Sequence, residues 1–155
     1  MIPAKADDDQ MARYVRNITA AYDAATLEQR DRGRNWYPVA HDLALIIGDG
    51  DVRKGAGILA VFSANKRWRD TVRLAQDASD GFLHGHTGVT LAKAARITAG
   101  EDPALVLPPD AKTGHFYRAI LDPSDPDPVV IDRHAHDIAV GEVYVARYFP
   151  PAVKG

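Results

Sequence analysis

The stretch from Leu107 to His134 reads LPPDAKTGHFYRAILDPSDPDPVVIDRH, and its punctuation sets the architecture around it. Pro108, Pro109 and Asp110 form a break, and Lys112 stands near the start of the helix that follows. The run DPSDPDP is a turn too short to divide domains. Val129, Val130 and Ile131 make a brief extended piece, and a last helix is expected from about Arg133 to Gly141. Asp132 precedes that helix directly, where an aspartate oxygen satisfies one of the first free helical N–H groups.

Outward from this stretch the chain repeats the same grammar. From Asp7 to Arg30, Met11, Tyr14, Val15, Ile18 and Tyr22 recur at spacings of three and four, one apolar stripe on a helix. Asp7, Asp8 and Asp9 suit its N-terminal turn. Gly33 is expected to stop it, with a second helix over Trp36–Ile47 that tolerates Pro38 only in its first turn. After the loop Gly48–Asp51, a third helix is expected to about Ala64, with Ala56, Leu59, Ala60 and Phe62 inward and Gly55 and Gly57 allowing close helix approach. A fourth is expected over Lys66–Ala78, with Trp68, Val72 and Ala75 on one side and the arginines on the other. Gly81–Gly88, containing His84 and His86, is a loop, and Thr90 is expected to cap a short helix through Thr98. Helices dominate: the expected fold is all-α, a compact multi-helix bundle forming a single domain over residues 1–155.

The chain has 155 residues, no cysteine and a formal net charge of −2. Disulfides, thiolate zinc sites and iron–sulfur clusters are excluded, so any metal would sit on histidines and carboxylates. No apolar run reaches membrane-spanning length, and the opening residues do not read as a secretory signal, so the expected location is the cytoplasm. The charge is uneven. Between Arg53 and Arg96 stand eight bases against three acids, a net +5 that leaves −7 for the remainder. A local basic face of this kind holds a phosphate backbone or is simply a solvated helix surface.

Read in order, GILAVFSANKRWRDTVRLA, LAKAARITAG, LPPDAKTGHFYRAI, the turn DPSDPDP and PVVIDRHAHDIAVG resemble the core of the helix-hairpin-helix DNA glycosylases of the endonuclease III type. The resemblance covers roughly residues 57–141. It places Lys112 at the position of the family's catalytic lysine and Asp132 at that of its catalytic aspartate. The hairpin departs from the pattern, because Pro108, Pro109, Asp110 and Ala111 stand where glycines bring backbone N–H groups to a phosphate. Small proteins of actinobacterial phages are also similar to this combination of segments. The resemblance implies action on DNA or a modified nucleobase, by N-glycosidic bond cleavage or phage base hypermodification, with no metal or organic cofactor. The partner is DNA, single- or double-stranded.

Under that reading Lys112 is a nucleophile forming a Schiff base, which requires a desolvated pocket. Asp132 stabilises charge building on the sugar. The plainer alternatives are a solvated lysine and a helix cap. Tyr37, His115, Tyr117 and His134 are candidates for substrate contact, with Tyr37 or Tyr117 stacking a flipped base, although the aromatic residues serve a core equally well. Lys66, Arg67, Arg69 and Arg73 are candidates for gripping DNA in place of the altered hairpin. A second class of function is a catalytically silent DNA- or protein-binding module on the same scaffold. A third is a metal-dependent phosphohydrolase of the HD type, suggested by His41-Asp42 and His136-Asp137. On a helix His134 and His136 diverge by about 200° and cannot share one metal.

Overall fold

The computed structural model describes residues 5–142. They form eight helices and no strand: α1 (Asp8–Ala24), α2 (Leu27–Ile47), α3 (Val52–Phe62), α4 (Trp68–Ser79), α5 (Gly88–Thr98), α6 (Pro103–Val106), α7 (Lys112–Leu121) and α8 (Arg133–Val140). The all-α expectation holds. None of these helices is long and apolar enough to cross a membrane. The C-terminal run VYVARYFPPAVKG lies outside the described residues.

The chain divides into two compact units, one of Met1–Arg34 with Ile131–Gly155 and one of Asn35–Val130. In the second, α3 is the central helix, with every residue from Gly55 to Phe62 buried. Its small residues permit this. A methyl group on Gly55 would stand 1.8 Å from the Ala44 carbonyl oxygen of α2, and one on Gly57 would stand 2.5 Å from Pro103 Cγ. The expectation that these glycines admit close neighbours is therefore correct. Around α3 gather Ala40, Ala44 and Ile47 of α2, Leu74, Ala75 and Ala78 of α4, Ala94 and Ile97 of α5, and Phe116, Tyr117 and Ile120 of α7. Each set follows the three- and four-residue spacing that puts side chains on one helix face.

In the other unit, α1 and α8 pack together. Asn17 Nδ2 donates to the Ala139 carbonyl at 2.8 Å. Asp7 opens α1 with a capping box, its carboxylate taking the Gln10 amide while the Gln10 side chain takes its own. Asp132 caps α8, and Gly141 closes it in the left-handed conformation that glycine adopts without strain.

Several expected boundaries move. The first break comes at Ala25–Thr26 rather than Gly33, because both helix ends there are satisfied. The Arg30 guanidinium donates to the Tyr22 and Asp23 carbonyls at 3.1 and 3.0 Å, and Thr26 and Gln29 exchange a second capping box at 2.9 and 3.1 Å. Helix α2 then runs through Gly33 and Pro38. Glycine costs about 1 kcal/mol in a helix and does not end it. Pro38 cannot donate to the Arg34 carbonyl, yet the helix continues because Ala40, Ala44 and Ile47 bury its next turns. Helix α5 is capped by Thr87, not Thr90, whose amide donates to the Thr87 hydroxyl. The α3–α4 connection is longer than expected, since α3 ends at Phe62 and α4 begins at Trp68. Helix α6 was not anticipated, although Asp102 followed by Pro103 is a start signal.

Candidate functional site

The most chemically distinctive surface of the 35–130 unit is the turn from α3 into α4, carrying Lys66, Arg67, Trp68 and Arg69. Asn65 turns the chain with φ +56°, a left-handed conformation that asparagine tolerates better than most residues. His86 holds the turn from the α4–α5 loop: its Nε2–H donates to the Ala64 carbonyl at 2.8 Å, and its Nδ1 accepts from the Thr87 amide at 2.9 Å. A carbonyl can only accept and an amide can only donate, so both ring nitrogens are assigned and the imidazole is neutral. His84, Gly85 and His86 lie in a loop, as expected, and the loop is anchored at both histidines. His84 Nε2 lies 2.8 Å from the Asp77 carboxylate of α4, and Gly85 sits against Leu74.

Trp68 opens α4 half-buried against an aromatic cluster. Its ring centroid lies 4.7 Å from Trp36 and 6.1 Å from Phe116, while Tyr37 lies 5.0 Å from Trp36 and 6.2 Å from Phe116. Residue 67 is the N-cap position, and its arginine makes no capping hydrogen bond. Lys66, Arg67 and Arg69 are exposed, and among the described residues no side chain forms an ion pair or hydrogen bond with theirs. Arg73 differs: it lies 3.9 Å from Asp77, which His84 shares.

The remaining positive charge counted along Arg53–Arg96 is partly neutralised. Arg53 binds both oxygens of Asp102 at 2.9 and 3.0 Å, and Arg96 forms a two-point pair with Glu101. Both acids lie just past the basic segment. The Ala104 amide and then Arg53 hold the Asp102 carboxyl below the usual carboxylate range, and Arg96 does the same to Glu101. The net +5 overstates the free positive surface, and what stays unpaired is concentrated at the start of α4.

The expected catalytic pair falls at the starts of two helices. Lys112 is the first residue of α7 and is exposed. Asp132 Oδ1 accepts the Ala135 amide at 2.8 Å as the cap of α8. Lys112 belongs to the 35–130 unit and Asp132 to the other. The Pro108–Ala111 break turns tightly, with the Ala111 amide donating to the Pro108 carbonyl at 3.1 Å and that carbonyl lying where a methyl on Gly114 would be. Two prolines without N–H groups and one amide already bonded leave little with which to cradle a phosphate.

Of the expected substrate contacts, Tyr37 is half-buried in the aromatic cluster and His134 is exposed on the first turn of α8. Tyr117 is only 3% exposed, so its ring is a core element and not an open stacking platform. Burial pushes its phenol above the ordinary tyrosine value, and its hydroxyl has no hydrogen-bond partner among the described residues. His115 Nδ1 accepts from Arg118 at 3.2 Å and from the Val129 amide at 3.3 Å. Guanidinium and amide only donate, so the ring carries its proton on Nε2. His41 shows the reverse: its Nδ1–H donates to the Ile120 carbonyl at 2.9 Å. No three metal-ligating side chains meet among the described residues, which leaves the HD pairs without the further ligands that metal chemistry needs.

Residues 1–150 match the profile of DUF7178, a family of unknown function. The chain belongs to DUF7178. No curated protein matches it, and no solved structure does. For this DUF7178 member, then, function has to be argued from the residues themselves, and the turn into α4 is where its unpaired charge and its half-exposed aromatic rings coincide.

Proposed function

We propose that the chain is a nucleic-acid-binding module whose α3–α4 turn grips the phosphodiester backbone. One observation carries the proposal: Lys66, Arg67 and Arg69 are exposed and lack an acidic partner, whereas the other arginines of the same segment are paired within the fold. Unpaired cations grouped around a fixed turn release counterions when they meet phosphate, and that release is the main sequence-independent source of affinity for DNA. The edge of Trp68 between two arginines suits it to contact a sugar or base beside the phosphates.

Base excision is the stronger claim of the two that the glycosylase resemblance suggests, and it needs Lys112 as a nucleophile. Lys112 stands exposed at the start of α7, whereas a Schiff-base lysine works from within a desolvated pocket. Binding without chemistry is therefore the reading the geometry favours. Fluorescence anisotropy with labelled duplex and single-stranded oligonucleotides of one length tests it. Salt-dependent binding is expected, and Arg67→Ala with Arg69→Ala should flatten the slope of log K against log salt by about 2 on duplex DNA, while Lys112→Ala leaves it unchanged. Absence of binding to either form at low salt overturns the proposal. A borohydride-trapped adduct with abasic DNA, lost in Lys112→Ala, would replace it with the glycosylase reading.

A further inference from the structure

The turn that carries Lys66 and Arg67 is held only loosely by its own backbone. The Ser63 amide donates to the Ala60 carbonyl at 3.3 Å and the Lys66 amide to the Ser63 carbonyl at 3.4 Å, both long for amide hydrogen bonds. Between them Asn65 stands in the left-handed region. A shorter bond reaches the turn from 22 positions along the chain, where His86 Nε2–H donates to the Ala64 carbonyl at 2.8 Å. The His86 ring is half-buried, tilted against Phe62 at the end of α3 with the centroids 6.2 Å apart.

The histidine is itself fixed. Its Nδ1 accepts the amide of Thr87, the cap of α5. The loop before it is seated on α4 by His84 against Asp77 and by Gly85, where a methyl group would stand 2.6 Å from Leu74 Cδ2. A loop anchored to α4 and α5 thus reaches back to a weakly bonded turn. We infer that His86 is a positioning residue for nucleic-acid binding: through the Ala64 carbonyl it holds the cationic turn in its binding geometry before a phosphate arrives. The inference rests on the phosphate grip proposed for this turn and adds how its cations are kept in place. Lys66, Arg67 and Arg69 repel one another, so a freed turn spreads them. Ordering the turn in advance spares binding the cost of immobilising long side chains, worth about three- to tenfold in affinity. The imidazole is neutral and adds no charge of its own, so its loss leaves the number of phosphates neutralised unchanged.

Two replacements separate the ring nitrogens. Glutamine puts an amide N–H close to the place of Nε2–H and keeps the bond to Ala64; asparagine puts an oxygen close to the place of Nδ1, keeps Thr87 and drops Ala64. In anisotropy titrations with an oligonucleotide that the wild type binds, His86→Asn and His86→Ala should bind about three- to tenfold more weakly at every salt concentration. The slope of log K against log salt should not change, and His86→Gln should restore most of the affinity. Backbone amide relaxation of the free chain should show residues 65–67 as ordered as α3 and α4 in the wild type and in His86→Gln, and more mobile in His86→Asn. Where His86→Ala fails to fold, the glutamine and asparagine variants decide the question between them. Asparagine binding as tightly as wild type, or glutamine no better than asparagine, overturns the inference and leaves the phosphate grip standing. So does weaker binding by a turn that stays ordered, or a reduced salt slope in His86→Asn, which would make the histidine a phosphate contact. A wild-type chain that binds no nucleic acid at low salt overturns the phosphate grip and this inference together.

Discussion

Helices α3 and α1 make opposite use of apolar sequence. α3 buries every residue from Gly55 to Phe62, and α1, longer by six residues, buries none. Apolar content accounts for part of the difference, since Gly55 to Phe62 carries no polar side chain while α1 has one stripe among charged and polar residues. Side-chain size at the helix surface adds to it. Glycines 55 and 57 and alanines 56 and 60 let α2, α5, α6 and α7 reach the α3 backbone, so the larger Ile58, Leu59 and Phe62 are enclosed from all sides. Among the described residues of its unit, α1 packs on α8 and is bonded by Arg30 of α2, and four of its large apolar side chains stay exposed. A helix becomes a core through the neighbours its small residues admit.

The sharpest way to break this comparison is truncation. Phe62→Ala should cost about 3–5 kcal/mol of stability in urea unfolding followed by tryptophan fluorescence. Val15→Ala should change it by less than about 0.5 kcal/mol. Equal effects would show that α1 is enclosed in solution after all.

Glycine replacement comes next, with opposite signs in two helices. Gly55→Ala drives a methyl group into the Ala44 carbonyl and should destabilise by about 1–3 kcal/mol, because backbone cannot rotate away as a side chain can. Gly33→Ala meets nothing within 4 Å in a helical segment and should stabilise by up to about 1 kcal/mol. Thermal melts of the two variants give the signs directly.

Acid should have the smallest effect. Asp102 ties α6 to Arg53 of α3, and the Ala104 amide and Arg53 hold its folded-state pKa below the unfolded value. Its contribution is complete above the ordinary carboxylate range and is lost as pH falls through the depressed folded value. Melting temperature should therefore drop on acidification less steeply in Asp102→Asn than in the wild type. The side chains are 52% and 42% exposed, so solvent screens the pair and the difference is small.

What could be read from sequence follows the range of the interaction. Asp51 before α3, Asp132 before α8 and Gly141 after it were legible, because a cap and the amide it satisfies lie within three or four residues. The Thr26–Gln29 capping box was equally local, and its T-x-x-Q spacing carried the signal; Gly33 and Pro38 drew attention to a break that does not exist. The aromatic residues were open between core and stacking, and the structure separates them: Tyr117 is core, and Trp36, Tyr37 and Trp68 form a half-buried cluster.

By itself the sequence determined that this chain is helical, where most of its helices begin, and which arginines and lysines crowd one segment, since these depend on periodicity and on neighbours a turn away. Only the tertiary structure decided which of those charges remain available. Arg53 finds Asp102 across 49 positions and Arg96 finds Glu101 after its helix has ended, leaving Lys66, Arg67 and Arg69 unpaired. For Lys112 and Asp132 the helix start and the cap were local and legible, and the fold adds that Lys112 is exposed. Spacing along a chain fixes which residues share a helix face; solvent exposure and ion pairing depend on distances that only the packed helices set.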